Sequence, residues 1–544
     1  MIINFINLNY FLLFIEYFLI IIIIYILIVY PLVLGNIFNI IVQDVLNNCL
    51  ILIFLLLNLL FLNDPMFYLI DLKSSFFITL NKSLIFDNMS VFIKLVLIYL
   101  TFFYFLIITN LFKYYKLTLF ELLVLFLFII IGLLFMSSGY NLLLIFIAIE
   151  LISFSSYFLV ALKKHYYYIL ECSIKYLIIG IISGLFFLLG SLFIYFSIGS
   201  ILVSDINLFI LKNEYLFFIR NNIILKKLIF KIEYFIYYLN FIDFKYWFLE
   251  YYLINNYLLN NSKFITELGI FFILFSILIK LFYAPFHIWA IQVYEKTSTI
   301  IIFFFFLNIK LGYFILLFKI SYFLLNFEYF NYIILIIGVF SIIIGSFSNL
   351  KQKKLKTLLI YSSITHMGYI LLVFSINLLF SLEIFYFYLI NYLLSNIVIW
   401  FTILILIKKN KIYENKFSKN ISDFILLNKT NKIFALNLFI VLFSIGGMPP
   451  FIGFFTKLGI FLVLMSEKLF TLIIIISFCS TISLFYYIRL IKIIYFENKT
   501  IGKLYLPIFS FNVFVFCFFS TALIFLFLNP KLLYLIIHKI ILFS

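Results

Sequence analysis

Charge is scarce in this chain, and its scarcity excludes a soluble fold. Only 11% of the 544 residues are Asp, Glu, Lys or Arg, whereas a water-facing domain carries about 25%. The four cysteines, Cys49, Cys172, Cys479 and Cys517, have no metal or redox spacing, which excludes an iron–sulfur ligand set and leaves them as small packing hydrophobes. There is no P-loop and no Gly-x-Gly-x-x-Gly fingerprint. The chain is therefore expected to bind no metal and no cofactor and to do no redox chemistry itself. No basic leader precedes the apolar run Tyr17–Tyr30, so no cleaved signal or Arg-rich transit peptide is expected. Glycine (17) and proline (7) are also few, while Phe (79) and Tyr (41) are abundant. With Ile, Leu, Asn and Lys these are residues of AT-rich codons, a bias that suggests an organelle genome.

What fills the chain is apolar: 67% of residues are hydrophobic and the mean hydropathy is +1.27. The runs exceed the ~20 residues that cross a bilayer as a helix. They are unbroken rather than alternating over ~10 residues, so helices and not a barrel satisfy the backbone in lipid. The polar breaks predict spans near 11–33, 46–62, 92–112, 118–137, 139–162, 172–198, 266–291, 299–321, 332–350, 358–378, 383–407, 434–465, 469–491 and 507–528. The fold class is thus all-α and polytopic, with about fourteen transmembrane helices. The apolar tail Pro530–Ser544, with Lys531, His538 and Lys539, can lie on the membrane surface.

Basic residues alternate between the connections. Lys113 and Lys116, Lys163 and Lys164, Lys351 to Lys356, seven lysines from Lys408 to Lys432, and Arg489 to Lys503 all fall on odd-numbered loops. The positive-inside rule turns these toward the matrix or cytoplasm. The surplus charge of +17 is thereby read as membrane topology, with lipid and not nucleic acid as its partner. The stretch 199–265, on the other side, is either an accessory insertion of surface helices or a docking site for neighbouring subunits or lipid.

The informative residues are charges that oppose burial in lipid. Glu150 opens Glu150-Leu-Ile-Ser-Phe-Ser-Ser-Tyr157, and Lys280, Lys310 and Lys457 sit inside apolar spans. Each such charge costs ~2.5–3.5 kcal/mol at a helix centre, so each needs a partner or water inside the bundle. A desolvated lysine can exchange its proton near neutral pH, and a nearby carboxylate such as Glu150 opposes that effect. Lys319, near a span end, reads as a snorkelling lysine. Pro285 follows Lys280, and Pro449 and Pro450 precede Lys457; broken helices at membrane depth line protein or a polar cavity. His366, in Tyr361-Ser-Ser-Ile-Thr-His-Met-Gly-Tyr369, has a titration range suited to proton transfer. His287 reads as structural. Together these residues predict a proton relay.

The blocks Glu150–Ala161, Ser173–Gly180, Lys280–Glu295, Gln352–Tyr369 and Ser444–Lys457 resemble the antiporter-like subunits of respiratory complex I. Pro285-Phe-His-Ile-Trp-Ala-Ile-Gln-Val-Tyr-Glu295 and Gly446-Gly-Met-Pro-Pro-Phe-Ile-Gly-Phe-Phe-Thr-Lys457 look most like the subunit 2 family. The resemblance implies two inverted five-helix repeats with two broken helices. It divides the chain into 1–117 (three helices), 118–321 and 332–491 (the repeats), and 492–544 (a last helix and tail). It implies Glu150 and Lys280 as a charge pair, Lys310 as the central relay, Lys457 as its counterpart, and His366 on the polar axis. It also implies proton translocation in the mitochondrial inner membrane, with the basic loops in the matrix. Electron transfer from NADH through FMN and iron–sulfur clusters to ubiquinone would occur in other subunits, and other membrane-arm subunits would be the partners. The alternatives are a free-standing cation/proton antiporter and a structural subunit without pumping. The insertion 199–265 and Glu295-Lys-Thr-Ser-Thr299 depart from the family pattern.

Overall fold

In a computed structural model of the protein, the described residues are 77–79, 83–86, 88–109, 119–162, 167–210, 263–324, 327–376, 379–405, 407–408, 416–417, 420–497 and 510–542. They are almost entirely helical. The expected spans 11–33 and 46–62 and most of the insertion lie outside them.

In chain order the helices are α1 (Asn88–Thr109), α2 (Leu119–Ser138), α3 (Leu142–Ala161), α4 (Tyr167–Ile198), α5 (263–280), α6 (Ile288–Lys296) and α7 (Thr299–Phe304). A π-helical turn, Phe305–Ile309, joins α7 to α8 (Lys310–Leu324). Then come α9 (Glu328–Asn349), α10 (Leu355–Phe374), α11 (Leu379–Ile405), α12 (Lys432–Gly446), α13 (Gly453–Ser466), α14 (Phe470–Tyr495), α15 (Ser510–Leu528) and α16 (Pro530–Leu542). A short helix at 203–210, helical turns Ile421–Phe424 and Leu427–Thr430, and two small antiparallel ribbons, Phe77–Thr79 with Leu84–Phe86 and Ile407–Lys408 with Lys416–Phe417, complete the described elements. Among the described residues, eight helices are long and apolar enough to cross a membrane, and nine with the pair α15–α16, which bends by 87° after Leu528. That bend turns the C-terminal helix away from the span direction, in keeping with the surface position expected of the tail.

The boundaries have local causes. The Asn141 side chain caps α3 by accepting from Leu143 N at 3.0 Å, satisfying one of the amides a helix start leaves open. Gly447 ends α12 in the left-handed region (φ +79°), the conformation glycine adopts without steric cost. Inside the helices, hydroxyls fold back on the preceding turn, as Ser362 does to Leu359 O (2.8 Å) and Ser363 to Ile360 O (2.6 Å). No water is needed to satisfy them there.

The continuous span Thr299–Ser321 and the helices α10 and α11 are buried nearly all round, while α4, α9 and α14 leave most of their surface uncovered. The first group is the centre of the bundle and the second its wall. Aromatic rings fill the joints. Tyr104 and Phe126 meet Phe304 at 5.0 and 4.4 Å, and the Tyr104 hydroxyl donates to Ile300 O at 3.1 Å, tying α1 and α2 to α7.

Small residues let α9 and α10 approach closely, as membrane helices do where no hydrophobic force separates protein from lipid. A Cβ on Gly345 would meet Thr365 N at 2.9 Å and Tyr361 O at 3.0 Å; one on Gly368 would meet Gly338 O at 2.8 Å. Gly368→Val must push the helices apart and is expected to destabilise the protein by about 1–3 kcal/mol. Thermal unfolding of the detergent-extracted protein checks this, and an unchanged midpoint would refute the close packing.

Candidate functional site

The central helices carry the buried charges. Lys310 is the first residue after the π turn and is 3% exposed. Its amide bonds Phe305 O, five residues back. This wider turn shifts the phase of the helix, and such π bulges are frequent at functional sites. The Lys310 ammonium donates to the Tyr392 hydroxyl on α11 at 2.7 Å. It also lies 3.6 Å from the Phe306 ring centroid, 4.4 Å from that of Phe282 and 5.3 Å from that of Tyr392. A desolvated cation is thus held by aromatic faces and one hydroxyl.

His366, on α10, stands across Tyr392 from Lys310. Its Nδ1 is 2.7 Å from the Tyr388 hydroxyl and its Nε2 is 3.2 Å from the Tyr487 hydroxyl. The Tyr369, Tyr388 and Tyr392 ring centroids lie 6.1–6.2 Å from the imidazole. With Tyr487 they form a cage of four tyrosines. The charges that act on His366 are those of Lys457 and Lys310.

Lys457, the fifth residue of α13, reaches back across a break to donate to Gly446 O, at the end of α12. Its stem passes over Gly447, where a Cβ would meet Lys457 Cδ at 2.5 Å. Glycine is required at 447 twice over, by φ and by this stem. Pro449 and Pro450 form the break, and the Pro449–Pro450 peptide is cis.

The other break lies between α5 and α6. Lys280 is the last residue of α5; its Nζ is buried and has no protein hydrogen-bond partner. Phe282 takes a left-handed conformation (φ +49°), and the Ala284–Pro285 peptide is cis. The turn delivers the Phe282 ring to Lys310, linking the break physically to the central lysine. Glu150, on α3, acts electrostatically on Lys280, with no direct ion pair between them among the described residues. Its carboxylate accepts from Ser153 Oγ at 3.1 Å and lies against Gly184 of α4, where a side chain would collide with it.

These contacts thus bring Lys310 and His366 together on Tyr392, and place Lys280 and Lys457 at the helix breaks marked by Pro285 and Pro449–Pro450. His287 is buried at the start of α6 and away from these contacts. Lys319 departs from the snorkelling expectation: it is part-buried and donates to Gly139 O, just past the end of α2, at 3.0 Å. The carbonyls at a helix C-terminus attract a cation, which gives this lysine a protein partner instead of the interface. Residues the sequence did not single out are Tyr388, Tyr392 and Tyr487, which bridge the charges, and Lys94, 2% exposed on α1.

Known proteins share this arrangement of helices. Residues 139–253 and 228–483 match the family model described as NADH:quinone oxidoreductase/Mrp antiporter, transmembrane. NADH-ubiquinone oxidoreductase chain 2 of Marchantia polymorpha is 29% identical over 461 residues, 84% of each chain. NADH-quinone oxidoreductase subunit N of Pelagibacter ubique is 28% identical over 459 residues, again 84% of each. Among solved structures, a chain of respiratory complex I from Thermus thermophilus superposes with TM-score 0.68 at 18% identity, covering 95% of this chain and 98% of that one. A chain of the Mrp complex from Dietzia sp. gives 0.70 at 14% identity, covering 97% and 96%. With matches spanning more than half of its length, the chain belongs to the transmembrane family shared by NADH:quinone oxidoreductases and Mrp antiporters.

Proposed function

We propose that this chain is the subunit 2 type of proton-translocating, antiporter-like subunit in the membrane arm of complex I, seated in the mitochondrial inner membrane among other membrane-arm subunits. The observation that carries the reading is the Lys310–Tyr392 contact beside His366, in the most buried part of the bundle. A lysine accepts or releases one proton, a tyrosine hydroxyl both donates and accepts, and imidazole exchanges protons through either nitrogen. Asn308, in the π turn, and Asn391, on α11, are buried with side-chain atoms that no protein group satisfies. Ordered water usually serves such groups, and water there would join the side chains into a continuous path.

Two inverted repeats fit the packing. Helices α2, α3, α4, the broken α5–α6 and the π-turned α7–α8 correspond in order to α9, α10, α11, the broken α12–α13 and α14. In both runs the first helix packs on the second and the fifth, the second on the third, and the third against the broken one. Glu150 and His366 then hold corresponding helices. In the relay we assign, Glu150 sets the proton affinity of Lys280, Lys280 passes its state to Lys310, and His366 couples Lys310 to Lys457. Electron transfer in other subunits supplies the energy.

Lys310→Met in the assembled enzyme is expected to abolish NADH-driven proton pumping and coupled NADH oxidation while subunit content stays normal. Pumping at the wild-type rate would remove the relay reading and leave a scaffold. Ion exchange by the isolated chain in liposomes without NADH would instead favour a free antiporter. Tyr392→Phe keeps the ring and removes only the hydroxyl. Loss of a hydrogen bond to a charged group is worth about 1.5–3 kcal/mol, so the rate of NADH-driven proton pumping should fall by roughly tenfold or more with assembly intact. An unchanged pumping rate would show that protons bypass Tyr392.

A further inference from the structure

The break between α5 and α6 does not face only inward. Pro285 and Ile288 are exposed on its far side, where a cavity of about 400 Å³ opens between this break and α4. Lys175, Ile179 and Ile182, at successive turns of α4, form one wall, and Pro285, Ile288 and Gln292 form the other. The volume is in the range of small-molecule sites. The cavity is apolar along its length and polar only at its Lys175–Gln292 end.

That end carries a surplus of positive charge. The Lys175 ammonium lies 2.5 Å from Glu171 and 3.4 Å from Gln292 Oε1. Lys296, at the end of α6, lies 3.7 Å from the same carboxylate and stands 5.4 Å from the Tyr168 ring centroid. Two ammonium groups share one carboxylate, so one positive charge is uncompensated at the mouth. Lys354, which pairs with Glu295 one residue before Lys296, adds a further lysine on this side. Trp289 stacks on Tyr176 at 5.3 Å along the cavity. It is 8% exposed, and its indole N–H finds no protein acceptor.

We propose that this notch binds one anionic phospholipid, with the phosphate between Lys175 and Lys296 and an acyl chain laid along Ile179 and Ile182 against Pro285 and Ile288. The chemistry matches at each level: a cationic mouth for the phosphate, an unpaired donor near the ester region, and an apolar slot where the chain ends. Anionic headgroups concentrate on the membrane face that basic segments occupy. The chain would cover the outer side of the break that ends α5, beside Lys280. The inference concerns lipid binding and stands independently of the relay.

The test uses the assembled complex in phosphatidylcholine vesicles containing phosphatidylglycerol with a photoreactive acyl chain, with cross-links mapped by peptide mass spectrometry. Saturable labelling is expected in the peptides that hold Ile179–Ile182 and Ile288–Gln292. It should fall roughly tenfold or more in Lys175→Gln/Lys296→Gln, the scale for losing two lysines at a membrane surface. Ile182→Trp, which keeps both lysines and fills the slot, should lose it as well. Equal labelling by photoreactive phosphatidylcholine, indifferent to the lysines, would reduce the site to ordinary lipid contact and overturn the proposal. No labelling at either wall would also overturn it, because the notch is then covered by a neighbouring subunit.

Discussion

The architecture turns on how a lysine charge is kept inside an apolar bundle. Burying Lys310 opposes insertion by ~2.5–3.5 kcal/mol on translocon scales and more by simulation. The faces of Phe306 and Phe282 contribute about 2 kcal/mol or more once water is excluded, and the bond to Tyr392 about 1.5–3 kcal/mol. The opposing contributions are of the same size. The rings and the hydroxyl thus offset the cost of keeping the ammonium from water.

The interruptions in the helices arise from the same requirement. An unbroken α-helix satisfies its own backbone and offers nothing to a cation. A helix that stops inside the bundle presents unsatisfied carbonyls and the negative end of its dipole. Lys457 uses Gly446 O at the end of α12, Lys319 uses Gly139 O just past the end of α2, and Lys280 is itself the last residue of α5. Three lysines in different parts of the molecule thus sit where helices end. The π turn before Lys310 acts differently. It leaves the helix continuous but rotates α8 relative to α7, so that the ammonium meets α11.

How much of this is legible in the sequence depends on contrast. A lysine among Ile, Leu and Phe stands out, so Lys280, Lys310 and Lys457 can be named, and the prolines mark both breaks to within a few residues. Tyr388, Tyr392 and Tyr487 cannot be found, because tyrosine is one residue in thirteen here and each lies in an apolar helix like any other. The π turn has no residue signature; it is visible only in the backbone. Lys319 departs from expectation because a position along a span says nothing about which helix end lies beside it. Lys94 stands in a run as apolar as that of Lys310 and carries the same signal, without a proline or motif beside it to mark it. Helix order and span limits agree within a few residues wherever the structure describes them, since in lipid the length of an apolar run fixes the element.

In the proposed relay the two halves meet at one imidazole. His366 is reached by the charges of Lys310 and Lys457, and both of its nitrogens are engaged by hydroxyls, Tyr388 on α11 and Tyr487 on α14. In that relay a charge on either lysine opposes a charge on the imidazole, so the imidazole serves as a neutral bridge between them. The hydroxyls suit such a bridge, because they pass a proton without keeping a charge. A carboxylate at either tyrosine position would pin the imidazolium and lock one half in place. Glu150 is consistent with this logic: it acts on Lys280 at the far end of the series, where a fixed charge can bias the first step without holding the last.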